Sequence, residues 1–323
     1  MAQAAQWTDA RVRAIRDVTH DVREFEIVPE NGAVLSFAPG AHIDVGVMIG
    51  DAPQTRSYSL VGIPGGDCYR IAVKRVAPSR GGSAYMWRLA PGDRLRATEP
   101  KSAFAVEFRR AAYLLIAGGI GITPLVGMAQ MLAKRGADVR MLYAVRSERD
   151  LAFAETLRDA LGDRLELHIG RQIDFAAEFA KLKPGTLAAL CGPIPMLEAV
   201  RGAWEAAKLP MADLRWETFG SSGRMAAAPF KVRVPSHDLE FDVPADASLL
   251  DSLRNAGIDA ISDCRKGECG LCAMDVVACD GEIDHRDVFL SPEEKAHGRK
   301  LCVCVSRARG VLTLDSGWRP DAI

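Results

Sequence analysis

Three cysteines in the last quarter of the chain, Cys264, Cys269 and Cys272, stand at C-x4-C-x2-C spacing, and Cys302 and Cys304 follow before the end. No other feature limits the fold so sharply. This is the ligand spacing of a plant-type [2Fe–2S] cluster, in which one short loop of thiolates wraps two bridged irons. Gly267 and Gly270 fall between the ligands. There a backbone curling around a metal centre needs φ values that side chains disfavour, and bare N–H groups that can reach sulfur. The main competitor is a structural zinc site. Zinc motifs usually pair C-x2-C with C-x2-C, and here the second half reads Cys302-Val303-Cys304. A Rieske centre needs two histidine ligands, and neither His285 nor His297 stands beside the cysteines. The fourth ligand is open on residues alone. The gap from Cys272 favours Cys302. Local context favours Cys304, because Val305-Ser306-Arg307-Ala308 leads into an apolar strand at 311–314. Cys304 is adopted. Cys68, Cys191 and Cys279 are isolated, as ordinary small residues would be.

Such a cluster carries one electron at a time and performs no substrate chemistry, so the rest of the chain must supply electrons or take them. With 323 residues there is room for two or three domains. A formal net charge of -1 gives no reason to expect nucleic acid or an anionic membrane as partner. Residues 1–13 contain no apolar run resembling a signal peptide. Eight cysteines without an export signal imply a reducing, cytoplasmic compartment, where ligation outweighs disulfide formation. Residues 113–133 carry no charge and are long enough to suggest a membrane helix. Gly118, Gly119, Gly121 and Pro124 interrupt them near the start, so a buried strand, a glycine turn and a buried helix are expected instead.

The texture changes along the chain. Strand-like segments at 22–28, 42–47, 57–61 and 69–75, punctuated by Gly and Pro, predict an antiparallel barrel or sandwich. Beyond Tyr113, strands at 113–117, 139–145, 165–169 and 187–190 alternate with helices such as 124–134 and 152–161, the pattern of a parallel α/β sheet. Residues 220–229, GSSGRMAAAP, read as a linker. After it come strands at 231–234 and 240–243, a helix near 249–256, and the cysteines.

Two further segments carry chemistry. Gly118, Gly119, Gly121, Thr123 and Pro124 lie where a strand gives way to a helix, a place suited to a dinucleotide pyrophosphate. Cys191, Gly192 and Pro193 end a later strand and could reach the same pocket, although a plain turn would also explain them. Nicotinamide delivers electrons in pairs and the cluster takes one, so some cofactor must stand between them, and flavin is the usual one. In the first hundred residues, Arg56 could neutralise its phosphate, Tyr58 could lie against its ring, and Ser57 and Ser59 could hydrogen-bond to it. Lys74, Arg75, Arg80 and the Gly81-Gly82-Ser83 turn add cations and backbone donors before a helix at 84–89. An exposed basic strand and loop is the plainer alternative.

Together these motifs make the chain resemble the phthalate dioxygenase reductase family, over residues 14–314. The marks are RSYSL at 56–60, AVKR at 72–75, RGGS at 80–83, AGGIGITP at 117–124, CGP at 191–193, ETFG at 217–220, the cysteine loop, DHRD at 284–287 and CVSRA at 304–308. The resemblance implies three domains: an antiparallel flavin-binding β-barrel over 1–108, a central α/β parallel-sheet nucleotide-binding domain over 109–222, and a C-terminal β-grasp plant-type ferredoxin domain over 229–323. It implies FMN rather than FAD. Arg56 and Gly81, Gly82 and Ser83 would hold the phosphate, Tyr58 and Ser59 would contact the isoalloxazine, and Phe219 would stand in the nicotinamide's path. It also supports Cys304 as fourth ligand. Electrons would run from NADH through FMN to the cluster, then to a Rieske-type aromatic oxygenase or demethylase met in a transient contact, with the reductase a monomer. A reductase for a diiron or haem monooxygenase, and a non-enzymatic redox sensor, are the alternatives. The family's usual Asn is absent from Pro100-Lys101-Ser102-Ala103-Phe104, and Asp263 stands where plant ferredoxins carry Ser.

Overall fold

The computed structural model describes residues 6–30, 33–50, 52–76, 81–102, 104–170, 172–219, 225 and 227–316. Ala103, Arg80, Arg171 and most of the expected linker, Gly220 to Arg224 with Ala226, lie outside these. The chain divides into two compact units, residues 1–217 and 218–323. Among the described residues no helix is long and apolar enough to cross a membrane.

In the first unit, β1 (Trp7–Thr19), β2 (Val22–Pro29), β3 (His42–Ile49), β4 (Ala52–Ser59), β5 (Tyr69–Lys74) and β6 (Arg94–Thr98) form one sheet in the order β4-β3-β6-β1-β2-β5, with the short helix α1 (Gly82–Met86) after β5. Its neighbouring strands are antiparallel. The two edge strands meet where Leu60, just beyond β4, bridges Ile71 of β5 and Val61 N–H donates to Arg70 O at 2.8 Å. That junction closes the sheet into a barrel around Val12, Phe25, Ile27, Ile43, Val45, Leu60 and Ile71. Closure leaves no exposed ladder edge there. The sequence reading has no strand at β1. Two register shifts, between Val12 and Ala14 and between Asp17 and Thr19, break its alternation. Its arginines lie on the outer side, paired with β2 and the residue after it: Arg11 with Glu30 at 3.0 Å, Arg13 with Glu26 at 3.0 Å, Arg16 with Glu24 at 2.8 Å.

The second sheet of this unit is parallel: β7 (Ala112–Gly118), β8 (Val139–Val145), β9 (Leu165–Ile169), β10 (Thr186–Cys191) and β11 (Leu214–Glu217), ordered β11-β10-β7-β8-β9. Helices α2 (Thr123–Lys134), α3 (Ala154–Leu161), α4 (Phe175–Phe179) and α5 (Ile194–Ala206) make the crossovers. Every residue of β7 and β10 is buried, as central parallel strands require. The uncharged stretch from Tyr113 is thus a buried strand, a glycine turn and a buried helix. Strand order reverses between β7 and β10, and in open sheets ligands bind at the carboxyl ends beside such a reversal.

The second unit holds β12 (Phe230–Val234), β13 (Leu239–Val243), β14 (Ala273–Asp280), β16 (Lys300–Cys302) and β18 (Val311–Asp315) in one sheet, ordered β13-β12-β18-β14-β16. The minor pair is β15 (Ile283–Asp284) with β17 (Arg307–Ala308). Strands β12 and β18 run parallel at the centre of an otherwise antiparallel sheet, with helix α6 (Leu249–Asn255) burying Leu249, Leu250 and Leu253 in its core, a β-grasp arrangement. Helix α7 (Pro292–His297) starts with a capping box between Ser291 and Glu294. The two arginines of the minor pair's surroundings hold the chain that enters this unit: Arg286 donates to Met225 O, and Arg307 to Ala228 O, Pro244 O and Ala247 O.

The parallel-sheet part of the first unit has its own keystone. Trp204 on α5 is 1% exposed, meets Phe179 of α4 edge-on at 5.1 Å, and donates its indole N–H to Pro210 O at 3.0 Å. Trp204→Ala should cost about 3–5 kcal/mol. Thermal or denaturant unfolding checks this, and Trp204→Phe should recover most of the loss.

Candidate electron-transfer site

The cysteine loop occupies the irregular stretch between α6 and β14. Arg265, Gly267 and Gly270 all take positive φ, 52°, 76° and 75°. A Cβ on Gly267 would stand 2.6 Å from Val305 Cγ2 and 2.8 Å from Asp287 Cα, and one on Gly270 would enter the Phe289 ring at 2.3 Å. Both glycines are therefore required by close approach as well as by φ. The curl turns three donors inward: the N–H groups of Lys266, Glu268 and Cys269 all lie 3.4 Å from Cys264 Sγ. Burial pushes the Cys264 thiol up, and these amides act against burial.

The cysteines form two neighbourhoods. Cys264 is hydrogen-bonded with Cys269. The Cys272 thiol lies against Cys302 and Cys304, whose hydrogen bonds hold it well below the usual thiol range while both partners are pushed up. The two partners differ. Cys304 is approached by the Gly267 N–H and senses Cys264. Cys302 is fully buried in β16 and senses Asp287. Among the described residues no three cysteine sulfurs lie within 4.8 Å of one another. A tetrahedral zinc ion, with Zn–S bonds of about 2.3 Å, would draw four sulfurs to about 3.8 Å apart. Two separated thiol neighbourhoods backed by inward amides fit a two-iron cluster instead.

The two turns expected to meet a dinucleotide lie side by side. β7 and β10 are adjacent and parallel, with Ala117 beside Cys191. Gly118 ends β7, Gly119 and Gly121 lie in the turn that follows, and Thr123 and Pro124 open α2. A Cβ on Gly121 would meet Cys191 O at 2.2 Å, and one on Gly118 would meet Pro193 Cδ at 2.6 Å. The two turns thus pack backbone to backbone across the reversal of strand order. Gly119, at φ 53°, has open space where its side chain would be. Met196 was not anticipated: its sulfur lies 2.9 Å from where a Cβ on Gly118 or Gly192 would stand. Nothing in the linear sequence around Met196 marks it.

In the barrel, Arg56, Ser57, Tyr58 and Ser59 form the carboxyl end of β4 rather than the start of a strand at 57–61. They pair with β3: Arg56 opposite Val45, Ser57 opposite Asp44, Tyr58 opposite Ile43 and Ser59 opposite His42. A Cβ on Gly82 would strike the Arg56 side chain at 2.7 Å, and one on Gly81 (φ 88°) would strike Ile49. The Gly81–Gly82 turn therefore lies directly against the Arg56 side chain, a cradle of bare backbone and cation that suits a phosphate. Ser83 accepts from Val76 N–H at 3.4 Å. Burial pushes the Tyr58 phenol up, with Arg56 pulling the other way. Ser59 is buried. Lys74 forms an ion pair with Asp21 at 2.8 Å. Ser57 donates to Asp44 at 2.5 Å, and Lys101, from the segment lacking the expected Asn, meets the same carboxylate at 2.6 Å. Desolvation raises the Asp44 pKa, but Lys101 and Ser57 outweigh it and hold the group below the usual carboxylate range.

Residues 232–309 match the family model described as a 2Fe-2S iron-sulfur cluster binding domain, and residues 115–172 match an oxidoreductase NAD-binding domain. Over the whole chain, phthalate dioxygenase reductase of Burkholderia cepacia is 34% identical, covering 94% of this chain and 96% of that protein. The chain belongs to the phthalate dioxygenase reductase family. A solved structure of phthalate dioxygenase reductase, described as a modular structure for electron transfer from pyridine nucleotides to [2Fe–2S], superposes with a TM-score of 0.77 at 31% identity, covering 96% of this chain and 98% of that one. The putative toluene-4-sulfonate monooxygenase system reductase subunit TsaB2 of Comamonas testosteroni is 38% identical over 94% of this chain and 97% of its own. Like other phthalate dioxygenase reductase family members, the chain is an NAD(P)H-dependent electron-transfer oxidoreductase with a flavin barrel, an NAD-binding domain and a [2Fe–2S] domain. The DHRD motif of the family gains a physical reason: Asp287, fully buried, accepts from Leu290 N–H and Ser306 Oγ directly beneath Gly267.

Gly267→Ala places a methyl group where Asp287 and Val305 already stand, a strain of about 1–3 kcal/mol on a loop that must close. The variant should purify with its flavin absorbance intact and most of its cluster absorbance and iron lost.

Proposed function

We propose that this protein is the NADH-dependent reductase of a Rieske-type aromatic oxygenase or demethylase, working as a cytoplasmic monomer, with flavin, nucleotide and ferredoxin domains over 1–108, 109–222 and 229–323. The observation that carries the reading is the pair of thiol neighbourhoods backed by three amides, in one chain with a parallel sheet whose two glycine turns meet at the reversal of strand order. When bound, NADH supplies an electron pair, FMN divides it, and the cluster delivers single electrons outward.

The chain's own residues bind and orient. Arg56, with Gly81, Gly82 and Ser83, would hold the FMN phosphate, and Lys74, ion-paired with Asp21, would join the flavin-binding residues. Tyr58 and Ser59 would contact the ring, and Ser57, which donates to Asp44, would add a hydrogen bond. Gly118, Gly119, Gly121, Thr123 and Pro124 cradle the dinucleotide together with Cys191, Gly192 and Pro193. Phe219 would lie in the nicotinamide's path. No side chain need move a proton, so positioning is the protein's main contribution. Cys264, Cys269, Cys272 and Cys304 hold the cluster. The Gly267 N–H directed at Cys304, and the burial of Cys302 in β16, support that choice of fourth ligand. The oxygenase partner is proposed from the relatives, which include a phthalate dioxygenase reductase and a toluene-4-sulfonate monooxygenase reductase subunit.

Anaerobic NADH should bleach both the flavin bands and the red-brown cluster shoulder, and a spectrum unchanged by NADH would remove the reading. Cys304→Ser should abolish the cluster shoulder while Cys302→Ser retains it. The reverse result would reassign the fourth ligand.

A further inference from the structure

His285, two residues before Asp287, is a buried titratable group that the electron route above leaves unused. Its side chain is 10% exposed, and both ring nitrogens are buried without a hydrogen-bond partner. Nδ1 stands 3.7 Å from Asp287 Oδ1, within ion-pair range but beyond hydrogen-bond length. Buried polar nitrogens are nearly always bonded, so an imidazole left in this state needs a reason. The carboxylate it faces supplies one. Asp287 is fully buried, accepts from Ser306 Oγ at 3.2 Å and Leu290 N–H at 2.9 Å, and lies directly beneath Gly267 of the cysteine loop. Desolvation pushes its carboxyl up, but His285, the Leu290 N–H and Lys295 outweigh burial and hold it below the usual carboxylate range. Cys302 in β16 senses its charge. The other charged groups around it are engaged. Lys295 of α7 donates to Asp287 O at 2.6 Å, Arg286 pairs with Asp284 at 2.7 Å, and Arg307 of β17 donates to three backbone carbonyls. Of these groups, imidazole is the kind whose charge changes near neutral pH.

We propose that His285 couples a proton to the electron of the cluster: on reduction its imidazole takes up a proton and offsets the added negative charge beside Asp287. The inference rests on the reading above, in which this loop holds a two-iron cluster, and goes beyond it by assigning a residue that sets the cluster's potential. The step balances. One electron passes from the reduced flavin to the cluster, and one proton passes from a water or buffer acid to a ring nitrogen. Burial gives the coupling its strength, because charges interact far more strongly away from water. Asp287 already commits one negative charge to this dry corner. A second, brought by the electron, raises the affinity of the facing imidazole for a proton. Linkage is reciprocal, so the protonated ring favours the reduced cluster. The potential is then high and flat at low pH, falls as pH rises through the histidine range, and flattens again above it.

The test uses the full-length holoprotein, with the cluster's potential read by redox titration between about pH 5 and about pH 8, the span in which histidine changes charge. The low-temperature EPR signal of the reduced cluster reports it apart from the flavin. At one fixed applied potential, the ratio of reduced to oxidised cluster should fall about tenfold across that span, the size of one pKa unit of coupling. His285→Gln keeps hydrogen-bonding groups but cannot change charge, and it should flatten the profile. The cluster's visible circular dichroism should stay as in wild type, which separates loss of the proton from damage to the loop. Redox-difference infrared spectra of wild-type protein carrying isotope-labelled histidine should show imidazole bands that change on cluster reduction, a readout that needs no variant to fold. Should His285→Gln fail to hold its cluster, His285→Phe fills the same buried space and should give the same flat profile. A wild-type potential that does not vary with pH, a histidine-free difference spectrum, or a wild-type slope in either cluster-bearing variant would overturn the proposal. A purified protein holding zinc and no inorganic sulfide would instead refute the cluster reading itself.

Discussion

Three amide N–H groups converge on one sulfur, Cys264 Sγ, and most of the second unit can be understood as what is needed to hold them there. A chain can present successive donors to the inside of a curve only if several residues leave the ordinary φ range, which here falls to Arg265, Gly267 and Gly270. The curve must also be supported from behind. Asp287 supplies that support, buried beneath Gly267 and held by Leu290 N–H and Ser306 Oγ, and the Val288 N–H bonds back to Gly267 O at 2.9 Å. The neighbouring turn is tied in as well: the Ser306 and Val305 N–H groups donate to Cys302 O, and Leu250 N–H to Val303 O. Burying a carboxylate is costly unless its oxygens are satisfied, so this network is required in full or not at all.

The first unit solves a different problem with the same device. A pyrophosphate can lie close to backbone only where side chains are missing, and the adjacent parallel strands β7 and β10 end in turns that would collide if Gly118 or Gly121 carried a Cβ. The absence of side chains therefore serves twice, letting the two turns pack and leaving backbone accessible at Gly119. In the barrel the corresponding economy is at Gly82, where the missing Cβ makes room for the Arg56 side chain. All three proposed cofactor sites thus combine glycine backbone with a small number of charged or sulfur side chains.

Much of this was legible in the linear sequence, for identifiable reasons. Strands β8 and β9 match their expected limits: β8 is a short, largely apolar run inside the parallel sheet, and β9 at its edge alternates apolar with polar residues as LELHI. The glycine turn and the cysteine loop were legible because their chemistry is local. β1 was hidden by two bulges and by arginines whose partners lie on β2 and at Glu30. β14 was hidden by a half-exposed, weakly alternating pattern, and α5 by Pro195 and Gly202 within it. The RSYS segment lies at the end of its strand rather than at the start of one, because closure of the barrel draws Leu60 towards Ile71. Contacts between distant positions carry no local signal at all. Thr218 and Glu268, Lys74 and Asp21, and Gly121 and Cys191 each meet through the fold, and their pairing cannot be read from either member alone.

The central claim is that the cysteines hold a two-iron centre rather than a single metal ion. Elemental and sulfide analysis of the purified protein tests it most directly. The account predicts two irons and two acid-labile sulfides per chain and no zinc, as a plant-type cluster requires. One zinc per chain, with no inorganic sulfide, would contradict it.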